Sequence, residues 1–116
     1  MTELPEAASA IVDERKIREY LLADDHPAGR AKAAFFRQFG FRTSSWRNLR
    51  TALLAHAREA RVVSAVTTEF GKKYVLDGPI GSPDGRTPRL RTIWFVATDE
   101  TRPRLVTAYP MAGGDR

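Results

Sequence analysis

Five residues carry the side chains that phosphodiester chemistry uses: His26, Arg86, Arg91, Thr107 and Tyr109. An imidazole titrates near neutrality and can take or deliver a proton. A guanidinium is a planar fork that grips a phosphate through two bonds, and a hydroxyl from Thr107 or Tyr109 can orient that phosphate. The set fits metal-independent RNA cleavage. The ribose 2′-hydroxyl attacks the adjacent phosphorus, His26 moves a proton, and arginines stabilise the charged phosphorane. Arg30 follows His26 by one helical turn and shares its face. Arg30, Lys32 and Lys73 are expected to contact nucleic acid. The second histidine, His56, stands among Leu53, Leu54 and Ala57 and reads as structural or surface.

Other chemistries lack their residues. The chain has no cysteine, hence no thiolate ligand or nucleophile. Its acids are scattered, with no HExxH or paired-carboxylate spacing, so no metal and no cofactor is expected. No GxSxG or phosphate-cradling glycine loop occurs; Gly78-Pro79-Ile80-Gly81 runs into prolines rather than a helix. Fifteen of the 19 basic residues are arginine. That chain-wide usage discounts the number of arginines between Gly78 and Pro110 and moves the weight to their placement. Arg86 falls on a turn-rich loop and Arg91 on a strand, whereas Arg89, Arg102 and Arg104 read as solvated surface.

These residues need elements to hold them. Ile17, Tyr20 and Leu21 share one side of a short helix over 13–22. Asp25 or His26 caps a second helix over 27–39, which is expected to bury Ala31, Ala34, Phe35 and Phe39, with Gly40 as its left-handed stop. Trp46, Leu49, Leu53, Leu54 and Ala57 keep helical spacing in a third helix, with Arg47, Arg50 and Arg58 opposite. After Ala60 the period becomes two. Strands are read over 61–70, from 72 to 76 or a little further, over 89–97 and over 103–109, with a proline- and glycine-rich loop over 78–88. Strict alternation puts Leu105, Thr107 and Tyr109 on one face of the last strand, and one register brings Arg91 onto it. Helices followed by an antiparallel meander specify an α+β fold, the N-terminal helices packed on a four-stranded antiparallel sheet.

The net charge of +5 is unevenly spread. Residues 1–25 carry seven acids and three bases (−4), and residues 26–116 carry sixteen bases and seven acids (+9). A body so basic attracts polyanions. RNA is the expected partner, together with an acidic antitoxin or immunity protein. Residues 1–12 read as a mobile tail, 13–110 as one domain and 111–116 as a second tail. No secretory signal or membrane-length apolar run is present, so a cytoplasmic protein is expected.

Several strings occur together: His26-Pro27-x-Gly29-x-x-Lys32-Ala33-x-Phe35-Phe36, Asp84-Gly85-Arg86, Arg91-Thr92-x-Trp94 and Pro103-Arg104-Leu105-Val106-Thr107-Ala108-Tyr109-Pro110. Over residues 14–110 the chain resembles an uncharacterised bacterial domain family found alone and in phage-related or toxin-like proteins. In architecture it is similar to the barnase–EndoU–colicin–RelE RNases, many of them toxins whose catalytic residues mix His, Arg or Lys, and Thr or Tyr. The resulting expectation is an endoribonuclease toxin. The alternatives are a non-catalytic module binding nucleic acid or protein, and a subunit whose sheet edge pairs with another chain.

Overall fold

The computed structural model describes residues 3–23 and 30–111. Helices precede a four-stranded antiparallel sheet, as the change of period requires. They are α1 (Glu14–Lys16), which continues as a π-helical turn (Ile17–Leu21), then α2 (Arg30–Gln38) and α3 (Trp46–Glu59). The strands are β1 (Arg61–Thr68), β2 (Gly71–Pro79), β3 (Arg89–Ala97) and β4 (Arg104–Pro110), in spatial order β1-β2-β3-β4.

Period two sorts the sheet. On β3, Leu90, Thr92 and Trp94 are buried, while Arg91, Ile93 and Phe95 are half-buried on the opposite face. The buried face meets α3, which contributes Trp46, Leu49, Leu53, His56 and Ala57. Each leucine removed from water there stabilises the fold by about 2 kcal/mol. Arg47, Arg50 and Arg58 lie on the solvent side.

Gly40 ends α2. At φ 101° it allows a Schellman turn, with Gly40 N donating to Arg37 O at 3.0 Å and Phe41 N to Phe36 O at 3.1 Å. The rings of Phe36 and Phe41 close that motif edge to face, 5.9 Å apart. Phe39, just beyond the helix, is buried as expected, but the buried stripe of α2 itself is Ala33 and Phe36 and not Ala31, Ala34 and Phe35. Phe35 and Phe36 are adjacent and equally apolar, so local pattern does not choose between the two phases.

Two further readings are corrected. The segment read as a tail over 1–12 packs from residue 3 onward: Leu4 and Val12 are buried, and Ile11 forms a parallel bridge to Arg104. Ile11 N donates to Pro103 O at 2.8 Å and Leu105 N to Ile11 O at 3.0 Å. Strict alternation also fails in β4. A bulge at Val106 pairs Leu105 with Trp94 and Ala108 with Thr92, both on the core face. Thr107 and Tyr109 pair with Ile93 and Arg91 on the other face. Leu105 therefore does not share the face of Thr107, whereas Arg91, Thr107 and Tyr109 do share one.

Candidate functional site

The π-helical turn follows α1 without a break, closed by Leu22 N donating to Ile17 O at 2.8 Å, five residues back. Such turns rotate the following side chains and concentrate at functional sites. Here the turn buries Ile17 and Leu21 and leaves Tyr20 half-buried. The Tyr20 hydroxyl lies 3.5 Å from Thr107 Oγ1, a long hydrogen bond across to β4. Two ammonium groups flank the ring: Lys16 Nζ, one turn earlier, and Lys32 Nζ from α2 are each 5.4 Å from its centroid. Lys32 also stands 6.0 Å from the Tyr109 centroid. Arg37 Nη2 donates to Leu22 O at 2.7 Å, holding α2 to the end of the π turn.

This setting lowers the Tyr20 phenol below its ordinary value. The Thr107 hydroxyl is the leading cause; burial opposes it, and a hydrogen bond from Lys32 and the charges of Lys32 and Lys16 add to it. Each favours phenolate over phenol.

A second row crosses the sheet beside this cluster. Asp77, Arg91 and Tyr109 are register neighbours on β2, β3 and β4. Arg91 donates through Nε to Asp77 Oδ1 at 2.6 Å and through Nη2 to Oδ2 at 2.7 Å. That bond holds the Asp77 carboxyl below the usual carboxylate range. It also raises the Arg91 guanidinium, with a hydrogen bond to Tyr109 as the next cause. One edge of the fork is therefore taken by Asp77, and Arg91 links Asp77 to Tyr109.

Arg91, Thr107, Tyr109 and Lys32 thus come together. Arg86 belongs elsewhere: its Nε bonds Asp84 Oδ2 at 2.7 Å, its Nη2 bonds Gln38 O at 2.9 Å, and its guanidinium lies 4.3 Å from the Phe39 ring centroid. These contacts clasp the 82–86 turn onto the end of α2. Arg30 is exposed at the start of α2, and Lys73 is exposed on β2 opposite Val66 and Phe95. His26 lies outside the described residues. Among the described residues, no group of three His, Asp or Glu side chains could hold a metal, and no helix is long and apolar enough to cross a membrane.

His56 is internal. Its Nε2 donates to Gly78 O (3.2 Å) and Leu90 O (3.1 Å), and its Nδ1 accepts from the Thr92 hydroxyl at 3.1 Å. Thr92 Oγ1 in turn accepts from Trp94 Nε1 at 2.8 Å. Every polar atom of the chain is used, which fixes the neutral Nε2–H tautomer, and burial lowers the pKa of the ring. His56 is a structural pin between α3 and the sheet.

Tyr20 is the residue that sequence reasoning counted as core. Its one local signal is Lys16 four residues earlier; Lys32 and Thr107 reach it only through the tertiary fold.

The domain-of-unknown-function family DUF6883 matches residues 3–112. The chain belongs to this family. The match begins within the segment that contributes Leu4 and Val12 to the core. Among solved structures, this DUF6883 domain is similar to a chain of the contact-dependent growth inhibition toxin–immunity protein complex from Klebsiella pneumoniae 342. The TM-score is 0.71 at 17% identity, covering 93% of this chain and 98% of that one. At this identity the likeness is one of fold. A comparison with curated proteins gave no match.

Proposed function

We propose that this DUF6883 domain is a metal-independent endoribonuclease acting as a bacterial toxin effector, with RNA as substrate. The observation that carries the reading is the convergence of Lys16, Lys32, Tyr20, Thr107 and Tyr109 where the helices meet β4. The fold shared with a chain of a toxin–immunity complex and the +9 charge of residues 26–116 support it.

In this reading the scissile phosphate lies against Lys32, with the Thr107 and Tyr109 hydroxyls orienting its oxygens. Tyr20, once deprotonated, accepts the proton of the ribose 2′-hydroxyl as that oxygen bonds to phosphorus. The P–O5′ bond breaks, giving a 2′,3′-cyclic phosphate, and His26 protonates the departing 5′-oxygen. The Thr107 hydroxyl, with Lys32 and Lys16 adding to it, favours the ionised form of Tyr20, and Lys32 stabilises the phosphorane charge. Arg91, braced by Asp77, positions Tyr109. The exposed cations Arg30 and Lys73 extend the contact to neighbouring phosphates, and an acidic immunity protein is the expected inhibitor.

The test is incubation of purified protein with labelled RNA in EDTA. Cleavage to 2′,3′-cyclic ends is expected, with Lys32→Ala slowing it by roughly 10²- to 10³-fold and His26→Ala abolishing it while the fold persists. RNA bound in a salt-sensitive manner without product would assign a binding module instead.

A further inference from the structure

β1 is the one sheet edge that nothing covers among the described residues. β4, at the other edge, is bridged by Ile11 and overlaid by Tyr20 and Lys32. The outer side of β1 pairs with no strand, because its ladder runs only to β2. Its sequence also lacks the charge and proline guards of protected edges. From Val62 to Thr68 there is no charge and no proline, and the bulge between Val62 and Ser64 is the sole interruption. Edge strands that stay monomeric normally carry an inward charge, a lysine, a proline or a bulge, and β1 has the last alone. Of the four large apolar side chains most open to solvent in the described chain, three belong to β1 or its turn: Val63 (47%), Val66 (46%) and Phe70 (71%).

The charges that bound this strand say what fits it. Arg61 opens β1, and Glu69 follows its end. A second copy running antiparallel to β1 brings the basic Arg61 end of each strand toward the acidic Glu69 end of the other, and the uncharged stretch meets itself about a two-fold axis near its middle. Opposite charges at facing strand ends favour the antiparallel direction, and an isologous edge satisfies both copies at once. We propose that β1 is a self-association edge, which joins two copies of this chain into one continuous eight-stranded antiparallel sheet.

The proposal does not depend on ribonuclease activity. Three strand spacings, about 14 Å, separate β1 from β4, so pairing at β1 leaves both Tyr20–Lys32 clusters open at the far ends of the joined sheet.

Light scattering and sedimentation of the full chain test this. A mass of twice 13.0 kDa is expected, falling to that of one chain as concentration drops. Val66→Lys, at an exposed position, should yield a folded monomer by circular dichroism. Arg61→Glu should weaken association by putting two acids together, and the double variant Arg61→Glu/Glu69→Arg should restore it. A wild-type monomer at the highest concentration, or a dimer indifferent to Val66→Lys, would overturn the proposal. Failure of the charge swap to restore the dimer would overturn the antiparallel direction.

Discussion

The two edges of the sheet have been treated in opposite ways. β4 is guarded at its start and middle: Ile11 takes the backbone groups of Pro103 and Leu105, Asp13 clamps Arg104 through two bonds of 3.0 Å, and Tyr20 reaches Thr107. Covering an edge with side chains from helices also immobilises those side chains, which is what a reacting centre requires. β1 is unpaired on its outer side and uncharged from Val62 to Thr68, with opposite charges at its two ends, so its unpaired groups remain available to another strand. The difference divides labour within one small domain. One edge spends its polar groups internally and acquires a chemical cluster; the other keeps them for association.

If that division holds, variants at one edge should leave the other untouched. Tyr20→Phe removes the proton acceptor, and kcat should fall by about 10²- to 10⁴-fold with mass and melting temperature unchanged. Val66→Lys should do the reverse, abolishing the dimer while RNA cleavage proceeds at the wild-type rate. Loss of cleavage in Val66→Lys would join the two edges functionally and end the comparison.

His56→Ala should affect both edges together, because His56 pins α3 to β2 and β3. Leaving Thr92, Gly78 O and Leu90 O without their partner should cost about 2–4 kcal/mol in a denaturant melt. The same residue sets a pH dependence. Its folded pKa is lowered, so the unfolded chain takes up the proton first as pH falls below about 6.5. Stability should therefore decline from neutral pH downward until the folded pKa is reached, and that part of the slope should vanish in His56→Gln. Arg104→Ala should have the smallest effect. Its half-exposed pair with Asp13 is worth about 0.5 kcal/mol, visible as a slight loss of stability with cleavage retained.

How much of this was legible depends on how far each feature reaches along the chain. α3 could be read because Trp46, Leu49, Leu53 and Ala57 keep one phase over 14 residues. The meander could be read because β3 alternates without a fault. The bulge at Val106 could not, since nothing in Arg104-Leu105-Val106-Thr107 marks it and it exists only in the register against β3. Leu4 and Val12 were hidden among small residues and Pro5, and only the surface they cover makes them core. At the site, Arg91, Thr107 and Tyr109 were found as strand residues of suitable type, and Lys32 as a helix cation. Tyr20 was missed because an amphipathic helix explains a tyrosine beside Ile17 and Leu21 equally well. The occupation of Arg91 by Asp77 is a matter of register, which single strands do not declare.

The chain from His56 through Thr92 to Trp94 also gives the molecule an internal lamp. Of the two tryptophans, Trp46 lies beneath the Arg47 and Arg50 guanidinium groups, 4.6 and 5.6 Å from its ring. Trp94 is sealed in the core, with its indole N–H held by Thr92. Its emission should sit well to the blue of a solvated indole and move red when α3 lifts from the sheet. In a Trp46→Phe background, the fluorescence of one residue would follow the docking of helix on sheet in real time.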